Sequence, residues 1–201
     1  MFDNYNNVRK TVKKKILLKL VKKMPKLFKL IWHTYGAYLR KANGLSFVSD
    51  INFDYDKENF LILSNHVGFY DPFYICAVMK RHIRWVAGAY LFKLGILKTI
   101  LDKVALAISK QQGQSDLSTI RTMKQALKDG YAVGIFPEGT RSWDGEMMDV
   151  NYIALSKMIR MFKVPVVFIH MEGGFAQQPR WCNKKRKGNV TVHAKYLLTA
   201  E

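Results

Sequence analysis

Phe60-Leu61-Ile62-Leu63-Ser64-Asn65-His66-Val67-Gly68-Phe69-Tyr70-Asp71-Pro72 is the stretch on which the reading of this chain turns. Its apolar start, Phe60 to Ser64, predicts a buried strand. Asp71-Pro72 predicts a helix start, with Asp71 as the N-cap and Pro72 at the first helical position. His66 and Asp71 therefore fall in a strand-to-helix turn. Their spacing agrees. Five residues along a helix would set the side chains about 140° apart, and five along a strand would put them on opposite faces. The two can meet only across an irregular turn, for which Gly68 supplies backbone freedom. A histidine beside a carboxylate is a general-base arrangement. The carboxylate holds one ring nitrogen as N–H, and the other nitrogen is left to take a proton from a hydroxyl. The same stretch also reads as a polar helix cap beside an ordinary loop histidine, and alone it does not choose.

A second stretch bears on that choice. Phe136-Pro137-Glu138-Gly139-Thr140-Arg141-Ser142 follows another strand-like run, Tyr131 to Ile135. In open parallel sheets, sites form where loops leave the carboxyl ends of strands, so both loops can open onto one crevice. Gly134-x4-Gly139 has the outline of a phosphate loop, but Thr140 stands where its lysine is required, which removes a nucleotide-binding reading.

The remaining chain predicts alternating strands and helices. Leu45 to Tyr55 reads as a short hairpin or edge strand. A helix is expected near 72–80, a strand at Arg84 to Ala87, a helix broken near Gly95 over Tyr90 to Lys103, and a strand at Val104 to Ser109. Ser115-Asp116 reads as the cap of a helix ending at Asp129-Gly130. Ile153 to Phe162 reads as a helix, Val164 to Met171 as a strongly β-branched strand, and Asn189 to Leu198 as a last strand. The expected fold class is α/β: a sandwich whose largely parallel central sheet is flanked by helices, preceded by a basic amphipathic N-terminal helical segment.

Length suits one domain with a single core. Cys76 and Cys182 are too few for a disulfide framework and read as reduced thiols. The formal charge of +18 is unevenly placed. Residues 1–41 hold twelve Lys and Arg against one acid, Asp3, a net +11, which leaves +7 for residues 42–201. We divide the chain there, into a membrane-associating segment (1–41) and a catalytic domain (42–201). In the segment Leu17, Leu20, Met24, Leu27, Ile31, Tyr35 and Tyr38 recur at helical spacing among lysines, with Pro25 as a break. No run of 18 apolar residues exists to span a bilayer, nor an unbroken apolar signal-peptide core. A basic amphipathic helix pair lying on an anionic membrane fits this pattern. The expected location is the cytoplasmic face of the cell membrane, peripheral or monotopic. The run Lys184-Lys185-Arg186-Lys187 reads as a solvated loop. His33, His82, His170 and His193 have no partners at ligand spacing and read as packing or surface residues.

His66-x4-Asp71 and Phe136-Pro137-Glu138-Gly139-Thr140-Arg141, in this order, resemble the two signature blocks of the glycerolipid acyltransferase family, of the lysophosphatidic acid acyltransferase type. The resemblance covers residues 40–198. Val164-Pro165-Val166-Val167 and Leu91-Phe92-Lys93-Leu94-Gly95 resemble looser blocks. The resemblance implies an O-acyltransferase that moves a fatty acyl group from a thioester to the hydroxyl of a lysophospholipid. His66 would be the base and Asp71 its support. Glu138, Gly139, Thr140 and Arg141 would form the acceptor-binding block. Arg141 would offer a planar fork to phosphate, while Glu138 would shape the loop or meet an acceptor hydroxyl. The donor would be an acyl-carrier protein or acyl-CoA thioester, used as a co-substrate. No cofactor or metal is expected. A thiol leaves readily, so no protein nucleophile is needed and neither Ser64 nor Cys76 is a candidate.

The chain departs from the family in places. Gly88-Ala89 stands where the family carries lysine, Ser109-Lys110 where it favours arginine, and the usual Lys-Gly pair is absent near Asn151-Tyr152. These changes leave the reaction intact but open the acceptor to a different lyso-lipid or amphipathic alcohol. The family commonly runs further, so the resemblance implies a short C-terminus. A third reading, a non-catalytic binder of anionic lipid or nucleic acid, would use the basic segment. Its lysines are poorly interleaved with aromatics and no nucleic-acid motif is present.

Overall fold

The structure is a computed structural model that describes residues 34–56, 58–111 and 117–199. Helix α1 covers 34–42. It is followed by β1 (Leu45–Ser49), β2 (Leu61–Ser64), α2 (Asp71–Met79) and β3 (Ile83–Gly88). A 3-10 turn (Ala89–Lys93), α3 (Gly95–Thr99) and a π turn (Ile100–Val104) lead to β4 (Ile108–Lys110). Then come α4 (Leu117–Lys128), β5 (Ala132–Ile135), α5 (Tyr152–Phe162), β6 (Val166–Glu172), α6 (Gly174–Gln177) and β7 (Val190–Leu198).

The described strands form one seven-stranded sheet in the order β1-β7-β6-β2-β5-β3-β4. Five of them, β6 to β4 in that order, run parallel. β7 is antiparallel to β6, and β1 is parallel to β7. Strand alternation sends neighbouring side chains to opposite faces. Ile62 packs with Tyr74, Ile75 and Ala77 of α2 and with Leu39 of α1. Leu61 and Leu63 pack with Met123 and Leu127 of α4 and Phe162 of α5. The sheet thus lies between two helical layers, and the expected α/β sandwich is present.

This topology positions the loops of interest. β2 and β5 are neighbours. The chain leaves β2 for α2 on one face and leaves β5 for α5 on the other, a switch point at which a crevice opens.

Several local expectations are corrected. Of the two readings of Leu45 to Tyr55, the edge strand holds and the hairpin does not: β1 lies at the sheet edge, ends at Ser49 and finds its partner in β7, far along the chain. Phe53 and Tyr55 instead stack edge-on with each other and with Phe60. The helix over 90–103 is three short pieces, and Gly95 at φ +33 separates the first two. The strand foreseen from Val104 begins only at Ile108. The backbone before it still closes helical bonds, from Ala105 N–H to Ile100 O and from Ala107 N–H to Leu101 O, each 2.8 Å, and Leu106 sits at φ +49. Residues 112–116, with the cap foreseen at Ser115-Asp116, and residues 1–33, with most of the basic segment and His33, lie outside the described residues. The end of that segment which is described joins the fold. Leu39 is buried in the core and Arg40 donates to Ala77 O at 2.6 Å, while Tyr35 and Tyr38 stay exposed.

Candidate active site

β2 delivers its last residues into a tightly bonded turn. Asn65 is buried and grips β6: its amide donates to Met171 O at 3.1 Å, and its Oδ1 accepts Met171 N–H at 2.7 Å. That clamp fixes where the next residue, His66, emerges. Asp71 is fully buried. Its Oδ2 lies 2.9 Å from His66 Nδ1 and accepts the backbone N–H groups of Val67 and Gly68, each at 2.8 Å. Its Oδ1 has no hydrogen-bond partner among the described residues. A carboxylate that accepts three bonds at one oxygen orients its donors firmly, and it holds Nδ1 as the protonated nitrogen, leaving Nε2 as the basic one.

Two details of the sequence reading change. Asp71 is not the cap. It is the first helical residue, Tyr70 occupies the N-cap with no side-chain bond, and the Asp71 side chain folds back on the turn before it. Gly68 does not use a positive φ. Its requirement is space, since a Cβ there would stand 3.0 Å from Asp71 Oδ1 and 3.4 Å from Gly174 O.

The β5 loop is stitched to the β2 loop at two points, both on His66, and Glu138 also bonds within its own loop. Glu138 Oε1 accepts His66 N–H at 2.8 Å, Glu138 Oε2 accepts Met148 N–H at 3.1 Å, and Ser142 N–H donates to His66 O at 2.8 Å. Both backbone groups of His66 are therefore held by the second motif. Of the two roles foreseen for Glu138, this geometry fills the loop-shaping one. Gly139 sits at φ +72, in the region that favours glycine, and its N–H closes a turn onto Phe136 O at 3.0 Å. Thr140 and Arg141 are half-buried in the same loop. The Arg141 guanidinium lies 6.0 Å from the ring centre of Phe69, which belongs to the first motif. All six foreseen site residues therefore share one loop cluster.

Sequence reasoning missed how the imidazole is held on its flat side. The His66 ring stacks on Phe136 at 4.0 Å and 14°, and Phe136 stacks in turn on Trp85 of β3 at 4.6 Å and 11°. Gly134 makes room for this pile: a Cβ there would meet the Trp85 ring at 2.5 Å. Phe136 stood in the quoted motif, but nothing local marked it as a partner of His66. Ser142, wholly buried, was missed as well. Its hydroxyl donates to Asp144 at 2.9 Å and accepts Gly145 N–H at 2.9 Å, which braces the loop beyond Arg141.

Cys76 and Ser64, the two groups set aside as nucleophiles, are buried. Cys76 is buried beneath Trp85, whose indole N–H points to its sulfur at 3.4 Å, and burial pushes the thiol up to about 11. Ser64 donates to Asn65 O and is buried. Both cysteines are free. His82 and His193 do have local partners. His82 Nε2 lies 3.0 Å from Ala105 O, and His193 Nε2 lies 2.8 Å from Asp50 Oδ2. No cluster suited to a metal ion occurs among the described residues, and no described helix is long and apolar enough to cross a membrane.

Comparison with known proteins gives the family and the fold. The family model described as Acyltransferase matches residues 9–172. A curated relative, 1-acyl-sn-glycerol-3-phosphate acyltransferase of Bacillus subtilis (strain 168), is 27% identical over 121 residues. The match takes in 57% of this chain and 60% of that protein, so the chain spans less than two thirds of its relative. The crystal structure of the 1-acyl-sn-glycerophosphate (LPA) acyltransferase PlsC from Thermotoga maritima superposes with a TM-score of 0.66 at 18% identity. It covers 89% of this chain and 70% of that one, and shares the fold.

Proposed function

The chain belongs to the acyltransferase family, and from that premise we propose that it moves a fatty acyl group from a thioester, carried by coenzyme A or an acyl-carrier protein, to the free hydroxyl of a lysophospholipid. The acceptor that fits best is lysophosphatidic acid, giving phosphatidic acid. The observation that carries this reading is the 2.9 Å bond from His66 Nδ1 to a buried Asp71, inside a turn sewn to the Glu138–Ser142 loop.

Each step has a residue to serve it. His66 Nε2 accepts the proton of the acceptor hydroxyl as its oxygen attacks the thioester carbonyl. Asp71 stabilises the imidazolium that forms. The tetrahedral adduct collapses, the C–S bond breaks, and the imidazolium returns the proton to the departing sulfur. The ester oxygen comes from the acceptor, and no acyl-enzyme forms. Arg141 faces the phosphate of the acceptor, with a fork that matches its geometry. The acceptor and donor are lipidic or lipid-bearing, which supports a peripheral position on an anionic membrane surface, at the cytoplasmic face.

The test is product analysis by mass spectrometry. The purified chain is offered a panel of lyso-acceptors with each donor, beside His66→Ala. Phosphatidic acid from lysophosphatidic acid, absent with His66→Ala, is the expected result. Transfer only to a phosphate-free acceptor would replace the acceptor assignment, and no transfer with either donor would overturn the reading.

A further inference from the structure

Beside the site, three cations lie over three rings in an unbroken strip. Arg180 stands 4.8 Å from the ring centre of Trp143, Arg141 6.0 Å from Phe69, and Lys185 Nζ 4.1 Å from Tyr70. The pairs are joined to one another. Arg180 donates to Arg141 O at 3.1 Å, and Phe69 packs edge-on against Tyr70 at 5.3 Å. Trp181 closes one end by donating its indole N–H to Trp143 O at 3.2 Å. Trp143 and Trp181 are each 58% exposed and Phe69 47%. The strip's cations come largely from the 178–189 loop, which is not free. Arg186 N–H bonds Gln177 O at 2.8 Å, and Gln177 donates to Gly188 O at 2.6 Å. That loop holds the basic run Lys184 to Lys187, which is exposed as expected, with Lys185 lying over Tyr70 and Tyr74 at the start of α2.

Large exposed rings on an ordered surface mark an interaction site. Tryptophan with its indole tip bonded, among cations, suits the headgroup level of a bilayer, which is apolar on one side and wet on the other. The exposed Lys184, Arg186 and Lys187 match an anionic lipid surface. The strip is continuous with the two loops that carry His66 and Arg141.

We propose that the Trp143–Trp181 strip is a bilayer-docking lip, separate from the N-terminal basic segment, which seats the site against anionic lipid so that an acceptor passes from the membrane to Arg141 and His66. This rests on the reading above that the acceptor is a lipid.

The test reads contact rather than turnover. The full chain is bound to vesicles of phosphatidylcholine and phosphatidylglycerol in equal parts, with and without brominated acyl chains, and tryptophan emission is recorded at saturating lipid. Bromine should quench the wild type. In a Trp32→Phe background, which removes the indole of the proposed membrane segment, Trp143→Phe/Trp181→Phe keeps buried Trp85 as a reference and should lose most of that quenching. In a second variant, Lys184→Gln/Lys187→Gln, neither change touches packing. It should weaken vesicle binding at low salt by about fivefold per charge, with a shallower salt dependence. Equal bromine quenching with and without Trp143→Phe/Trp181→Phe in that background overturns the proposal. So does a lysine variant that binds vesicles normally but loses affinity for an acidic carrier protein, since the strip would then be a protein dock. Failure of the proposed function would show as missing transfer by the wild type, whatever the quenching does.

Discussion

At the scale of single residues, the buried carboxylate has two jobs that substitution can separate. Asp71 Oδ2 both orients His66 and caps the N–H groups of Val67 and Gly68. Asp71→Asn can still present an oxygen to those donors but cannot supply the charge. We expect turnover to fall by about 10²- to 10⁴-fold, as for His66→Ala, with a near-normal melting temperature. Asp71→Ala also strands two buried N–H groups, each costing about 1–3 kcal/mol, so it should melt clearly lower. Calorimetry beside steady-state rates checks this, and equal melting of the two variants would show that the turn does not depend on Asp71. Arg141 gives a second prediction. Arg141→Ala should lower kcat/KM for a phosphorylated lyso-acceptor by roughly 10- to 150-fold, as expected for a charge-assisted pair of about 1.5–3 kcal/mol, and Arg141→Lys should rescue it only partly. If a phosphate-free acceptor suffers equally, Arg141 is holding the loop. The site was partly legible at this scale: an apolar run before His66 and the Asp71-Pro72 helix start put both residues in one turn, while the roles of the pair and the Glu138 to Arg141 block came from the resemblance of the two motifs. Phe136, Ser142 and Asn65 were not legible, because each acts through a partner that only the sheet brings near.

At the scale of elements, β3 and β5 cooperate behind the imidazole. Trp85 and Gly134 are paired across those strands, and the indole lies over the glycine, then under Phe136, then indirectly under His66. Alanine normally suits a strand better than glycine does. Here Gly134→Ala should do the reverse, pushing the Trp85 ring and costing about 1–3 kcal/mol by overpacking. Displacing His66 should also lower kcat by about 10- to 100-fold with little change in KM. A lowered melting temperature with unchanged kcat would mean the stack supports the core but does not aim the base. A pH effect belongs to the α2–β3 connection. Burial lowers the pKa of His82 from its ordinary value near 6.5, the Ala105 carbonyl bond opposes that shift, and neighbouring Arg84 adds to it. The ring also meets Tyr131 edge-on at 5.6 Å. The folded chain therefore holds fewer protons there than the unfolded chain. Stability is full above about pH 6.5 and falls as pH drops through the folded value. Melting curves from pH 8 to pH 5 should be flatter for His82→Gln, and an identical slope would exclude His82 as the source. Apolar runs made β2, β5 and β6 readable. The pieces between β3 and β4 were not, because Gly95 and the left-handed Leu106 break a pattern that reads as one helix and one strand.

At the scale of the whole molecule, charge divides the chain more sharply than chemistry does. The sheet order was only partly legible. Alternation of strands and helices predicts the parallel centre, but nothing near β1 announces β7 as its partner. The proposed boundary at residue 41 meets a physical obstacle, because Leu39 is core and Arg40 is bonded to α2. A truncation that ends at residue 33 spares both. Residues 1–33 carry ten Lys and Arg and one acid, a net +9, so the shortened chain keeps +9 of the +18. Binding to anionic vesicles should therefore weaken on truncation without vanishing, if the aromatic lip contributes its own contact. Salt tells the two parts apart. The Debye length shrinks from about 10 Å at 0.1 M to about 3 Å at 1 M, which screens lysines held above the headgroups but leaves rings already inserted. We expect the full chain to lose much of its vesicle affinity across that range. The chain lacking residues 1–33 should start weaker and change less. Sedimentation with vesicles at both salt concentrations, with circular dichroism to show that the shortened chain is folded, makes the comparison. Equal affinity of the two forms at low salt would remove the basic segment from membrane binding. A folded truncation that failed to bind at any salt would assign all of the binding to residues 1–33 and leave the lip with no independent hold on the bilayer.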